Sequence, residues 1–471
     1  MSESQPKLER KLSLLHATAI NMIDMVGIGP FMVLSLVAGK MGGPYFLYAW
    51  IAGAILSFLD AMVWSQLGAA FPKAGGSFNF LNEGYGGKAG KILSFLFVWQ
   101  TMIQAPLVIA SAAIGFSAYA EYIFHFNNIW LEKALSGAVV IMVIALLYRK
   151  VASIGKISVA LWVIVLGTIF WIIGGGIAHG HFLEPIKHIN DGLIVNDIFS
   201  LKNGFFAALG FASVKTIYSY LGYYNVCHLG GEIKNPSKNI PRSMFISIAG
   251  IAILYLAMNI SVSSVLPFEE LTKQIETPSG LEYNKYVVSS FIETLYGHKA
   301  GIIVTILILI VAFSSVFSAT LGYSRIPYAA AQNKNFFPYF ATLHPTLKFP
   351  HRSLLVLGGI AFVFSLLFRL ETVIGGIIAM RIIIQFIGQA IGLLILHKRK
   401  GKAFFPWRMP LYPLPLLLAI TIWGAIFYST GKIMMISSIV VISVGLIAYF
   451  VARKMKWIGE EPTTEITDAK A

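Results

Sequence analysis

One cysteine, Cys227, in 471 residues excludes an intramolecular disulfide and any thiolate metal cluster. Charge is scarce as well: Asp, Glu, Lys and Arg make up 12% of the chain, against 57% hydrophobic residues. Mean hydropathy is +0.74. A soluble domain carries roughly 25% charged residues, so an ordinary soluble fold is excluded. Enzyme motifs are missing too. The chain has no phosphate-cradling Gly-x-x-x-x-Gly-Lys run and no His-Glu-x-x-His, and its ten histidines are scattered, mostly over loops. Neither catalysis, a cofactor nor a metal centre is expected. No small-residue cleavage site follows the first apolar run, so no cleaved signal peptide is expected.

What the chain does have is repeated apolar runs of about 20 residues, the length that crosses a bilayer as a helix. Twelve spans are expected, at 14–38, 45–70, 92–124, 131–148, 156–177, 203–231, 241–266, 300–329, 353–369, 372–397, 410–428 and 433–452. The net charge of +15 supports this topology rather than nucleic-acid binding. With the N-terminus placed in the cytoplasm, 25 Lys and Arg fall on that side, nine fall outside, and Lys215 and Arg381 lie within spans. Removing one span would invert every later loop and erase the bias. The expected organisation is a cytoplasmic tail (1–13), five helices (14–177), an outer loop (178–202), five more helices (203–397), two final helices (410–452) and a cytoplasmic tail (453–471). The outer segment 268–299 reads as a short helix and loop over a cavity mouth.

The first span contains Val26-Gly27-Ile28-Gly29-Pro30. Proline removes an N–H and clashes with the preceding turn, so the helix should break at mid-depth. Freed backbone groups inside a membrane must face protein or a water-filled cavity, and an outward half-helix would present its N–H groups and positive dipole end to an anion. A kink used only for packing is the alternative reading. The sixth span holds Tyr218-Ser219-Tyr220-Leu221-Gly222-Tyr223-Tyr224, a weaker second break at the corresponding place. Two interrupted helices five spans apart point to a five-plus-five inverted repeat with a central site.

Four stretches resemble the amino acid–polyamine–organocation superfamily of carriers. They are Gly27-Ile28-Gly29-Pro30-Phe31; the inner loop from Ser65-Gln66-Leu67 through Phe71-Pro72 to Gly75-Gly76-Ser77; Gly231-Glu232-Ile233-Lys234-Asn235-Pro236 with Ile240-Pro241-Arg242; and Ser324-Arg325-Ile326-Pro327 through Pro338 to Pro350. Their order covers roughly residues 20 to 355, and the last four spans match no motif. The resemblance implies an all-α membrane protein of the LeuT-type fold, related to the L-type and cationic amino acid carrier branches. It implies a substrate amino acid between the two breaks. Amides near Gly27, Ile28 and Gly29 would hold its carboxylate, and carbonyls of Met25, Val26, Tyr218, Ser219 and Tyr220 its ammonium group. Gly222 and Tyr224 complete the expected site, and Tyr218 stands where L-type relatives carry an aromatic gate.

The resemblance also places Lys156 at a lysine associated with proton coupling. An amine in a low-dielectric site loses its proton more readily, so Lys156 is an expected coupling residue, with Asp24 and Ser315. A basic loop residue serving topology is the alternative. Arg381, Gln385 and Gln389 recur every four residues and should share a face that looks into the bundle. Arg381 needs a partner, expected to be Asp24 or Asp60, as a structural ion pair or a proton relay. The function implied is secondary transport of amino acids across the plasma membrane by alternating access, coupled to protons or working by exchange. A polyamine or organic amine carrier of the same fold, or a non-transporting receptor or channel on this scaffold, remains the alternative.

Overall fold

The first span is interrupted where the sequence places its glycines, just ahead of Gly29-Pro30. In the computed structural model, which describes residues 8–125, 128–191, 193, 204–277, 280–368 and 370–459, helix α1 (Leu14–Met25) ends at the break. Helix α2 (Gly29–Met41) restarts after it, bent by 44°. Ser13 caps α1, accepting from the His16 N–H while the His16 ring accepts from the Ser13 N–H. Pro30 is the second residue of α2, where its missing N–H leaves no helical bond unmade. The interruption therefore lies at residues 26–28, and the proline begins the outer half-helix rather than breaking it.

The chain continues through α3 (Leu47–Ala70), α4 (Ser77–Tyr85), α5 (Gly87–Phe124), α6 (Ile129–Leu147), α7 (Val151–His179) and the short α8 (Glu184–Lys187). Helices α9 (Phe205–Tyr220) and α10 (Asn225–His228) form the second broken pair. Between them Leu221 is extended and Gly222 sits at φ +124°, a conformation that favours glycine. A Cβ on Gly222 would lie 2.8 Å from the Asp24 carbonyl carbon and from the Met25 nitrogen. The two breaks thus touch backbone to backbone, and only a residue without a side chain fits.

Next come α11 (Pro236–Ser263), α12 (Phe268–Leu271), a hairpin of β1 (Gln274–Thr277) and β2 (Gly280–Tyr283), α13 (Val287–Tyr296), α14 (His298–Tyr323) and α15 (Arg325–Gln332). The chain ends through α16 (His351–Leu367), α17 (Leu370–Arg381), a π-helical segment Ile382–Gly388, α18 (Gln389–Lys400), α19 (Leu414–Ser429) and α20 (Lys432–Lys454). The expected outer helix and loop at 268–299 is α12, the hairpin and α13. Eight described helices are long and apolar enough to cross a membrane, nine with the bent pair counted as one. The remaining three expected spans contain α9, α16 and α19, of 16, 17 and 16 residues. Much of the expected outer loop (194–203) and the ends of both tails (1–7, 460–471) lie outside the described residues.

The quoted loop motifs gather at the end of the molecule that carries the N-terminal segment. Leu12 exchanges backbone hydrogen bonds with Glu232 (3.0 Å) and Lys234 (2.8 Å), and Gly75 N–H donates to the His228 carbonyl (3.0 Å). Arg325 Nε and Nη2 donate to the two Glu232 carboxylate oxygens at 2.8 and 3.3 Å, both side chains being almost wholly buried. The segment leading into α1, the loop after α3, the foot of the sixth span and α15 are tied into one plug. It closes this side of the bundle below the breaks.

Candidate functional site

Where the breaks face one another they enclose a cleft. Its lining includes Asp24, Met25, Gly27, Ile28, Gly29 and Pro30 from the first span, and Tyr218, Ser219, Leu221, Gly222 and Tyr224 from the sixth. Val108 and Ala112 of α5, Ser315 and Tyr323 of α14, and Ile377 and Arg381 of α17 form the remaining wall. The Ile28 and Gly29 N–H groups make no backbone hydrogen bond among the described residues. They start α2, so they carry the positive end of its dipole. Gly29 also admits the opposite wall: a Cβ there would stand 3.0 Å from Ser219 Oγ and 3.1 Å from the Tyr218 ring. The Tyr218 hydroxyl lies 2.9 Å from Ser111 Oγ of α5, which holds the ring across the start of α2.

Four expected roles change in detail. The Gly27 N–H donates to the Met25 carbonyl at 3.0 Å, so only Ile28 and Gly29 offer free amides. The Met25 oxygen also accepts from the Tyr255 hydroxyl at 2.8 Å. Both its lone pairs are then used, so it is not free for an ammonium group. The same Tyr255 hydroxyl lies 3.0 Å from the Ser219 carbonyl, joining the two interrupted helices through one oxygen. Val26 and Tyr220 are buried away from the cleft; the Tyr220 ring packs edge-on against Trp50 and Tyr255.

Lys156 is not in the site. Its side chain is exposed, and its neighbour Gly155 packs on His16. His16 lies nine residues before Met25, roughly 13 Å down the helix. At break level α7 instead presents Trp162, whose indole N–H donates to the Met22 sulfur at 3.1 Å. The alternative reading, a basic residue serving topology, fits its position. The serines of α14 divide: Ser314 Oγ bonds its own helix, whereas Ser315 Oγ donates to the Asp24 carbonyl at 3.5 Å and Ser318 Oγ to the Ile20 carbonyl at 2.8 Å.

The ion pair between Arg381 and Asp60 does not form. Asp60 is buried in α3, accepting from the Tyr223 hydroxyl at 2.5 Å and the Trp423 indole at 3.2 Å. Two neutral donors satisfy it without a cation. Arg381 faces inward together with Gln385 and Gln389 as their spacing requires, and it reaches the cleft. Its guanidinium donates to the hydroxyls of Tyr224 and Tyr323 and, at 2.9 Å, to Gln104 Oε1 of α5. It is the last residue before the π-helical segment, a local register change that recurs at functional sites. Sequence reasoning missed Tyr255, Tyr323, Ser111 and Gln104, which sit in regular helices with no local signal.

Comparison with known proteins identifies the family. The profile of the family described as "Amino acid permease" matches residues 12–457. The methylthioribose transporter of Bacillus subtilis is 22% identical over 94% of this chain and 93% of its own length. The serine/threonine exchanger SteT of the same organism is 25% identical, over 95% of this chain and 98% of its own. The human cystine/glutamate transporter is 24% identical, over 89% and 80% respectively. With broken first and sixth spans around a central cleft and a family match over nearly the whole length, this chain belongs to the amino acid permease family and is a membrane transporter, not an enzyme.

Proposed function

We propose that the protein carries an amino acid through the cleft by alternating access, with the α-carboxylate on the Ile28 and Gly29 amides and the α-ammonium at the Tyr218–Ser219 turn. The observation that carries this reading is the meeting of the two interruptions across Gly29 and Gly222. A half-helix N-terminus favours an anion, and unwound carbonyls favour a cation. Tyr218 is the lid on the outer side: its ring crosses the start of α2 and its hydroxyl is latched to Ser111. The Glu232–Arg325 plug closes the opposite side.

Coupling belongs to Asp24 and Ser315, which meet beside the break: Ser315 Oγ donates to the Asp24 carbonyl at 3.5 Å and would stand 2.7 Å from a Cβ on Gly27. Asp24 is the carboxylate of the cleft and carries the transported proton in this reading. The proposed topology is twelve spans in the plasma membrane with both termini cytoplasmic, supported by the Lys/Arg bias. The relatives' names span methylthioribose, serine and threonine, and cystine and glutamate, so the zwitterion must be tested directly. Purified protein in liposomes should take up labelled amino acids saturably, faster with an inward proton gradient or with amino acid trapped inside. No saturable flux of any amino acid under either condition would overturn the proposal.

A further inference from the structure

We propose that Arg381 is a side-chain subsite and that the protein selects amino acids whose side chain ends in a carboxylate. This rests on the reading of the cleft as the amino acid site. Among the described residues two arginines are deeply buried, and they are partnered differently. Arg325, 2% exposed, lies on the Glu232 carboxylate and also donates to the Leu321 carbonyl and Ser324 Oγ. Its charge is neutralised within the fold. Arg381, 3% exposed, donates only to two phenols and an amide, and its Nε is buried with no hydrogen-bond partner.

A buried cation that no carboxylate touches costs several kcal/mol. Charge-assisted, fork-shaped hydrogen bonds to a carboxylate are what a guanidinium makes best. Asp24 lines the same cleft and its field reaches Arg381, but no hydrogen bond or ion pair joins them among the described residues. The Arg381 guanidinium lies 5.3 Å from the Tyr224 ring centre and 5.1 Å from that of Tyr323. Two aromatic faces and Gln104 therefore fix its plane at the cleft wall. The α-carboxylate position at Ile28 and Gly29 belongs to another wall, so one substrate with two carboxylates engages both.

The discriminating measurement is counterflow in liposomes with matched pairs, glutamate against glutamine and aspartate against asparagine. Members of each pair differ in little but the charge at the side-chain end. The wild type should favour the acid by about 100-fold in kcat/KM or more, as sites built on a polar group do. Arg381→Gln should bring the ratio to about one or below. Arg381→Lys, which keeps the charge but loses the planar fork, should fall between. A wild type that carries the amides as well as the acids overturns the proposal. So does an Arg381→Gln variant in which both fluxes fall together at an unchanged ratio, the signature of a merely structural arginine. Absence of flux for every amino acid overturns the transport reading itself, and this subsite with it.

Discussion

Tyr218 lies across Gly29, with its ring 3.1 Å from the position a Cβ on that glycine would take and its hydroxyl 2.9 Å from Ser111. The start of the outer half-helix and the ring that covers it are therefore fitted to each other. Every added carbon at Gly29 must displace either the lid or Ser219. Gly29→Ala should lower uptake about tenfold and Gly29→Val should abolish it, both at normal membrane expression. Initial-rate uptake normalised to protein checks this.

Removing the Tyr218 hydroxyl should separate lid closure from lid packing. Tyr218→Phe keeps the ring and loses one hydrogen bond, worth about 1 kcal/mol, so KM should rise about fivefold with little change in maximal rate. Tyr218→Ala removes the ring itself, and maximal rate should collapse. A kinetic series over substrate concentration distinguishes the two.

Tyr255 ties the Met25 and Ser219 carbonyls together from α11. Tyr255→Phe leaves both without that donor, at a cost of about 1–3 kcal/mol. The expected result is weaker substrate protection against thermal unfolding in detergent, with the bundle still folded.

The Glu232–Arg325 pair is buried on both sides. Breaking one partner of such a pair costs about 3–5 kcal/mol, whereas replacing both with apolar residues of similar volume is often tolerated. Glu232→Gln and Arg325→Gln should each lower the melting temperature sharply. The double replacement Glu232→Leu with Arg325→Met should recover most of it. Thermal unfolding of the four proteins side by side measures this.

Lys156 is exposed and level with His16, not with the break. Lys156→Gln should leave uptake and its pH profile within about twofold of wild type. Asp24→Asn should flatten the pH profile of uptake, because among the described residues it removes the one acidic side chain that lines the cleft.

Legibility followed the range of each interaction. Gly27, Gly29 and Pro30 act on their own helix, so the first break is readable from the stretch 27–30 alone. The second break rests on Gly222 alone, and its reason, contact with the Asp24–Met25 backbone, lies two hundred residues away in sequence. Arg381 was legible as a buried cation, but its partners were not. Tyr323 and Gln104 come from two other helices and Tyr224 from the second break, and an acid is the natural expectation for a lone charge. The position of Lys156, level with His16, was hidden for a related reason. The depth of α7 against α1 is set by packing such as Gly155 on His16, which no local pattern encodes.

The most direct test asks whether both ends of the amino acid's main chain are gripped. Uptake of the best labelled substrate should be measured against its decarboxylated amine and its α-hydroxy acid as competitors. If Ile28 and Gly29 hold the α-carboxylate and the Tyr218–Ser219 turn holds the ammonium, the unlabelled amino acid competes fully. Each analogue should then be weaker by about 100-fold, as expected when a polar subsite is left unpaired. An amine or a hydroxy acid that competes as well as the intact zwitterion would contradict the account.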